Sequence, residues 1–402
     1  MGKHMKYAQV HWVRGLIGLI VFAAVILLFK SLADSYAASI PPDTLPVNVY
    51  RWELQIPFLS LSIIPYFSLY GFCILSFFMP TTGFVQRQHM LRLVVAVPVA
   101  YVYFYLYPVV FLKSMLLPHD IFKRVLSMDV LFGHAPALHT ILLVIVWRLY
   151  MTQLSGVPKI IMSIWFLLAG LSAVTTYQYS VIDIVSGFTV GVLICYLFPF
   201  SEHHRFRRQY ASYPSLAFRY LAPVVILFIA ACFVSFWFAL VLFWLSASMF
   251  FVGLGYLGMG PAMFQKHRYG KFSYAGWLIH VPYRLGTRLA RRFFLKGITT
   301  PQKITDFLYQ GAYGMQGQVE HTAVFDLCSE YERIPCREAK YVSFPIINEA
   351  TPTIDELHEG VLKLDKLLKE NRTVFYTLRI GQIAQYFAGA GLADLFKTNE
   401  KH

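Results

Sequence analysis

The sequence predicts a polytopic bundle of membrane-spanning helices, about eight in number, followed by a small C-terminal α/β domain. Three observations predict it. Hydrophobic residues make up 57% of the chain and charged residues only 14%, more apolar surface than one soluble core buries, so a bilayer is the natural solvent. Apolar runs recur between Gly15 and Met263, separated by short polar loops. Past Ile298 acidic residues appear, and short strand-like runs replace the long apolar ones.

The first apolar run, Gly15 to Phe29, follows Lys3, Lys6 and Arg14 and precedes the small Ala37 and Ala38, a pattern that signal peptides and first spans share. Extension through Lys30, whose ammonium can snorkel, to Ala33 supplies the roughly 20 residues a bilayer requires and favours an uncleaved span. Further apolar segments run from Phe58 to Met79, Leu91 to Leu112, Pro136 to Tyr150, Pro158 to Val174 and Val181 to Phe200. The 43 nearly uncharged residues from Leu221 to Met263 are twice the length of one span at about 1.5 Å per residue, so they must fold back as a hairpin.

Orientation follows from the basic loops. Lys3 to Arg14, Arg87 to Arg92, Arg148 to Lys159 and Arg205 to Arg219 carry the positive charge, which places these alternate connections and both termini on the cytoplasmic side. The net charge of +14 therefore reads as loop charge facing anionic headgroups. It does not indicate nucleic acid, for which neither a basic recognition helix nor a stacking platform is recognisable. Five scattered cysteines form neither a disulfide framework nor a metal-ligand motif. No cofactor or metal is expected.

The stretch after the hairpin mixes Lys266, His267, Arg268, Lys271, Arg284, Arg288, Arg291, Arg292 and Lys296 with Trp277, Leu278, Tyr283, Phe293 and Phe294. It reads as an interfacial amphipathic segment, the alternative being a solvated linker helix. Strand-like runs follow at Thr322 to Leu327, Tyr341 to Ile347 and Thr373 to Leu378, with a helical pattern from Thr353 to Lys369 whose Ile354, Leu357, Val361, Leu364 and Leu368 share a face. The expected segments are thus 1–50 (first span and outer loop), 51–200 (membrane core), 201–263 (basic loop and hairpin), 264–297 (interfacial linker) and 298–402 (α/β domain).

Two polar islands stand at the outer ends of spans: Gly133-His134-Ala135-Pro136-Ala137-Leu138-His139, and Thr175-Thr176-Tyr177-Gln178-Tyr179-Ser180-Val181-Ile182-Asp183-Ile184-Val185-Ser186-Gly187. An ionisable residue within a span is a functional candidate; His139 and Asp183 could equally tie two helices together. The islands resemble the second and third motifs of the type 2 phosphatidic-acid phosphatase superfamily, over the spans from Arg51 to Phe200. The resemblance implies a six-helix core in which a histidine nucleophile attacks phosphorus, a carboxylate orients it and a second histidine protonates the leaving alkoxide. By position His139 matches the acid and Asp183 the carboxylate, but Tyr179 stands where the nucleophile is expected. Ala137 replaces the motif serine, and Lys113-Ser114 replaces an Arg-Pro pair, leaving Lys113 to hold phosphate as a point charge. With an ordinary pKa near 10, a tyrosine is a poorly activated nucleophile.

The C-terminal segment, from Ile298 to Phe396, resembles a dual-specificity protein phosphatase. Val324-Phe325-Asp326-Leu327, Phe344-Pro345 with Asn348 and Thr351-Pro352-Thr353, and Val374-Phe375-Tyr376-Thr377-Leu378-Arg379-Ile380-Gly381 carry it. That chemistry requires a low-pKa cysteine thiolate at a helix N-terminus and an arginine to complete the phosphate cradle. Here the cysteine position is Leu378, the arginine position is Ala384 or a neighbour, and the acid position is Asn348, while Arg379 is left near the loop. Together the resemblances imply a bacterial inner-membrane protein that binds a lipid with a phosphate headgroup. Its degenerate site comprises His139, Asp183, Tyr179 and Lys113, and its pseudophosphatase domain is free to meet a protein partner. The alternative is an active lipid phosphatase or headgroup transferase working through His139 and Asp183.

Overall fold

A computed structural model describes residues 2–41, 50–106, 138–201, 204, 210–294, 301–312, 314, 322–334, 340–350, 352–370 and 373–378. The chain forms two compact units, Met1–Ser201 and Glu202–His402. The segments expected at 201–263, 264–297 and 298–402 therefore belong to one body.

In the first unit the described helices are α1 (Gly2–Ser39), α2 (Ile63–Ser76), α3 (Gly83–Leu106), α4 (Leu138–Gln153), α5 (Gly156–Thr175) and α6 (Val181–Leu197). Helix α4 is the axis of the unit and packs against α2, α3, α5 and α6. Eleven of its sixteen residues are buried. By contrast α5 turns Ile160, Ile161, Ile164, Leu167, Leu168 and Leu171 outward, as a helix facing acyl chains does. Close approach of α4 and α6 depends on Gly191, because a Cβ there would lie 2.9 Å from Val144 Cβ and 3.2 Å from the Ile141 carbonyl oxygen. Gly187 is buried one turn earlier, so α6 presents the small-residue seam by which helices associate where no hydrophobic force distinguishes partner from lipid.

Five helical stretches are long and apolar enough to cross a membrane: His11–Ser39, Gly83–Leu106, Gly156–Thr175, Pro214–Ala231 and Phe236–Phe264. Ser60–Ser76, Leu138–Gln153 and Val181–Leu197 are apolar but shorter. The expected count of about eight full-length spans is thereby corrected to five among the described residues. A 16-residue helix extends only about 24 Å, short of a hydrocarbon layer of about 30 Å. Hydropathy does not distinguish such an interior helix, sheltered by its neighbours, from one that meets lipid.

The second unit begins with the hairpin of α7 (Pro214–Ala231) and α8 (Phe236–Leu254), the fold-back that the uncharged stretch required. Pro214 occupies the first turn of α7, where its missing N–H goes unneeded. A wide turn at Gly255–Met259 and a tight one at Gly260–Phe264 follow α8. Gly260 has φ +67°, and a side chain there would strike the Tyr210 ring. The helices α9 (Tyr274–Ile279) and α10 (Val281–Phe294) lead to strands β1 (Gln302–Thr305), β2 (Leu308–Ala312), β3 (Ala323–Cys328) and β4 (Lys340–Ile346). Helix α11 (Ile354–Glu370) and strand β5 (Val374–Leu378) complete the described elements. The sheet order is β1-β2-β5-β3-β4, with β1 antiparallel to β2 and the other neighbours parallel. Helix α11 starts on a reciprocal cap, Thr353 with Glu356, and lays Leu364 and Leu367 on the buried Phe325, Val374 and Tyr376.

Lys266, expected at a lipid interface, is instead buried. Its Nζ donates to Asp326 Oδ2 at 2.7 Å and to the Cys328 carbonyl at 2.6 Å. Asp326 also accepts from Thr377 Oγ1 at 2.6 Å, from the Cys328 N–H at 2.9 Å and from the Tyr341 hydroxyl. Arg284 and Tyr283 are likewise buried; Arg284 donates to the Trp277 carbonyl at 2.8 Å and Tyr283 to Glu330 at 2.8 Å. The linker fails as a purely interfacial segment because its basic residues divide between this interior and an exposed side that holds Trp277, Leu285, Arg288 and Leu289.

Gly191→Ala is expected to cost about 1–3 kcal/mol through overpacking, seen as a lower melting temperature of the protein in detergent. Gly71→Ala, with open space around its Cβ, serves as the control and should leave that temperature unchanged or raised. Lys266→Met strands a buried carboxylate and should cost about 3–5 kcal/mol. In the Lys266→Met/Asp326→Leu double variant part of that loss should return, a coupling that a double-mutant cycle measures.

Candidate functional site

The residues expected at the membrane site come from two helix starts. His139 is the second residue of α4 and Asp183 the third of α6, while Tyr179 immediately precedes the α6 cap, Ser180. The sequence Ser-Val-Ile-Asp encodes that cap. Ser180 Oγ accepts the Asp183 N–H at 3.3 Å, and Asp183 Oδ2 in turn accepts the Ser180 N–H at 3.1 Å and hydroxyl at 2.6 Å. Upstream, the N–H groups of Gln178 and Tyr179 close on the Ala173 carbonyl at 3.2 and 3.1 Å. Tyr177 takes a left-handed φ of +60° and donates its hydroxyl to the Ile56 carbonyl at 2.8 Å. This turn carries Tyr179 into the interior.

The structure brings His139 and Tyr179 together with a residue that the sequence did not single out. The His139 ring lies nearly parallel to Tyr66, centroids 4.4 Å apart, and 5.8 Å from Tyr179. The Tyr66 hydroxyl donates to the Tyr179 hydroxyl at 3.5 Å. His139 has no exposed surface, and among the described residues neither ring nitrogen makes a well-formed hydrogen bond, the Ala169 carbonyl of α5 standing beside the ring as an acceptor. Among the described residues Asp183 Oδ1 also has no hydrogen-bond partner, so His139 and Asp183 are not hydrogen-bonded to each other. Buried polar atoms are paired in all but a few places in a native protein, and His139 and Asp183 are among the exceptions here, which makes them candidates for a ligand site.

Glu53 is the second residue missed in the sequence. It lies in the short turn Arg51–Gln55, fully buried. Glu53 accepts the Val181 N–H of α6 at 3.2 Å and the Tyr50 N–H at 3.4 Å. The signal was a lone acid just ahead of an apolar run; Tyr66, one aromatic among many, carried none. Lys113, the expected phosphate contact, lies outside the described residues, as do Ser114, His134 and Ala137.

In the C-terminal sheet β5 is central and ends at Leu378; Arg379, Gly381 and Ala384 lie outside the described residues. Cys328, at the end of β3, is no substitute nucleophile. Burial and the neighbouring Asp326 carboxylate hold its thiol well above the ordinary range, and the thiolate is the reactive form. Asn348 uses its carbonyl to accept the Tyr256 hydroxyl at 2.8 Å. The carboxyl ends of parallel strands are where open α/β sheets hold ligands, and at the end of β3 the Lys266 ammonium is bonded to Asp326 and the Cys328 carbonyl.

Ser180→Ala removes both the α6 cap and a donor to the buried Asp183, and should cost about 1–2 kcal/mol, measured as a fall in melting temperature in detergent; Ser180→Thr should retain most of it. Comparison with family models, with curated proteins and with solved structures finds no match to this chain.

Proposed function

We propose that this chain is a polytopic membrane protein that binds a lipid with a phosphate headgroup where α4 and α6 begin. It acts there as a catalytically impaired relative of the type 2 phosphatidic-acid phosphatases. The observation that carries the reading is His139, wholly buried, with neither ring nitrogen in a well-formed hydrogen bond among the described residues, and in ring contact with Tyr179. A structural histidine satisfies its nitrogens; one held ready for a ligand leaves them open. A tyrosine in the nucleophile's place, its hydroxyl meeting the Tyr66 phenol, is weakly activated at its ordinary pKa near 10. On this reading the chain lies in a bacterial inner membrane with both termini in the cytoplasm, Lys113 contacts the phosphate, and the C-terminal pseudophosphatase unit serves regulation or scaffolding of phospholipid metabolism.

The test is single-turnover chemistry. Purified wild type, His139→Ala, Asp183→Asn and Tyr179→His are each mixed with labelled short-chain lipid phosphates, and acid-labile phosphoprotein and released phosphate are followed. Binding by wild type without a phosphoenzyme, weakened in His139→Ala, is the expected result, and a phosphoenzyme is expected in Tyr179→His. Turnover by wild type that disappears in both His139→Ala and Asp183→Asn identifies an active phosphatase or headgroup transferase instead.

A further inference from the structure

The two sides of α10 are unlike. Inward, Tyr283 donates to Glu330 at 2.8 Å and Arg284 to the Trp277 carbonyl at 2.8 Å, with Thr287 buried one turn on. Outward, Leu285, Arg288 and Leu289 are exposed, and their spacing of three and four residues puts them on one face of the helix. Trp277 of α9 is exposed as well. In sequence α10 carries Arg284, Arg288, Arg291 and Arg292 and no acid. Water suits the arginine of such a face and not its leucines.

What covers that face follows from α8, which is long and apolar enough to cross a membrane and belongs to the same compact unit. Trp237, Val241 and Trp244 recur at i, i+4 and i+7, so they form one stripe of α8, and all three are exposed. The stripe leads to α9, because the Trp244 indole donates to the Leu278 carbonyl at 2.9 Å. Ser248, the next residue of the stripe, is buried, and α9 and α10 both pack on α8. The Tyr283 ring then meets Phe264, in the turn beyond α8, at 5.8 Å. The chain thus passes from the flank of α8 toward its C-terminal end, and Trp277, Leu285 and Leu289 extend an outward apolar surface that begins on α8.

Leucine requires acyl chains and arginine an anion, and the two occur together at the headgroup boundary of an anionic leaflet, where tryptophan rings also settle. A second copy of the chain meeting this face about a twofold axis would set one acid-free, arginine-bearing helix against another. We propose that the outward side of α9 and α10 rests in the headgroup region of an anionic leaflet, with Trp277, Leu285 and Leu289 among the acyl chains and Arg288 at lipid phosphate. This lipid contact is separate from the place where α4 and α6 begin and does not rest on the lipid-phosphate reading of His139.

The test uses the full-length protein in lipid nanodiscs. Leu285→Cys and Leu289→Cys are each made on a Cys232→Ser background, because Cys232 is an exposed thiol, and labelled with an environment-sensitive fluorophore. The labelled background protein is the blank, and Ile354→Cys, at the exposed start of α11, is the control. Brominated phosphatidylglycerol should quench the labels on α10 about threefold more than brominated phosphatidylcholine at the same fraction, as one arginine at an anionic surface requires, and should leave the α11 label unquenched. Adding Arg288→Gln should cut that ratio by about half. Labels on α10 that neither lipid quenches, whether wet like the α11 label or shielded by a second copy or another protein, overturn the proposal. So does equal quenching by the two lipids, or a ratio that Arg288→Gln leaves untouched. Hydrogen exchange of the wild-type amides from Tyr274 to Leu289 needs no substitution; it is expected to slow when phosphatidylglycerol replaces phosphatidylcholine, and unchanged rates also overturn the proposal. Failure of lipid-phosphate chemistry at His139 would leave all of these results as they are.

Discussion

A helix that begins or ends inside an apolar bundle must have its terminal N–H and C=O groups met by side chains, because no water is there to meet them. Helix α6 shows the constraint at both ends. Its N-terminus is met by Glu53, Ser180 and Asp183. At its C-terminus Arg92 donates to the Phe198 and Cys195 carbonyls at 2.8 and 3.1 Å, with its guanidinium over the Phe200 ring. Acid lies at the positive end of the helix dipole and base at the negative end. The candidate site is tied to this requirement, since Asp183, which caps α6, keeps one buried oxygen without a hydrogen bond among the described residues.

The same logic of satisfying buried polar groups joins the hairpin's exit segment to the C-terminal sheet. Lys266 follows the turns after α8 and enters the carboxyl edge of β3, where Asp326 receives four donors. Around it Tyr256, Phe264, Phe272 and Ile347 form one apolar cluster. A buried charge pair contributes little net stability over an apolar filling, but breaking it is costly. The α7–α8 hairpin and the sheet are consequently parts of one body.

Most of the fold was legible because it rests on periodicity. The strands near Thr322, Tyr341 and Thr373 and the helix from Thr353 announced themselves by alternation and by a shared apolar face, and α11 with β3, β4 and β5 lies within a residue or two of those expectations. The hairpin was legible from length alone. Strands β1 and β2 were not, since Gln302 to Ala312 shows neither strict alternation nor an apolar run. In the site, His139 and Asp183 stood out as ionisable groups within apolar segments. Tyr66 and Glu53 reach them from 73 and 130 positions away in sequence, and no local pattern records such a meeting.

The sequence by itself determined which stretches are apolar enough to enter a bilayer, since transfer of apolar surface is a property of composition that holds in any packing. Tertiary structure decided which apolar helices are sheltered and short, which of the linker's basic residues are buried, and that His139 lies among aromatic rings. Those outcomes depend on distances between residues remote in the chain, and only the close packing of α4 on α6 and of the hairpin segment on the sheet sets such distances.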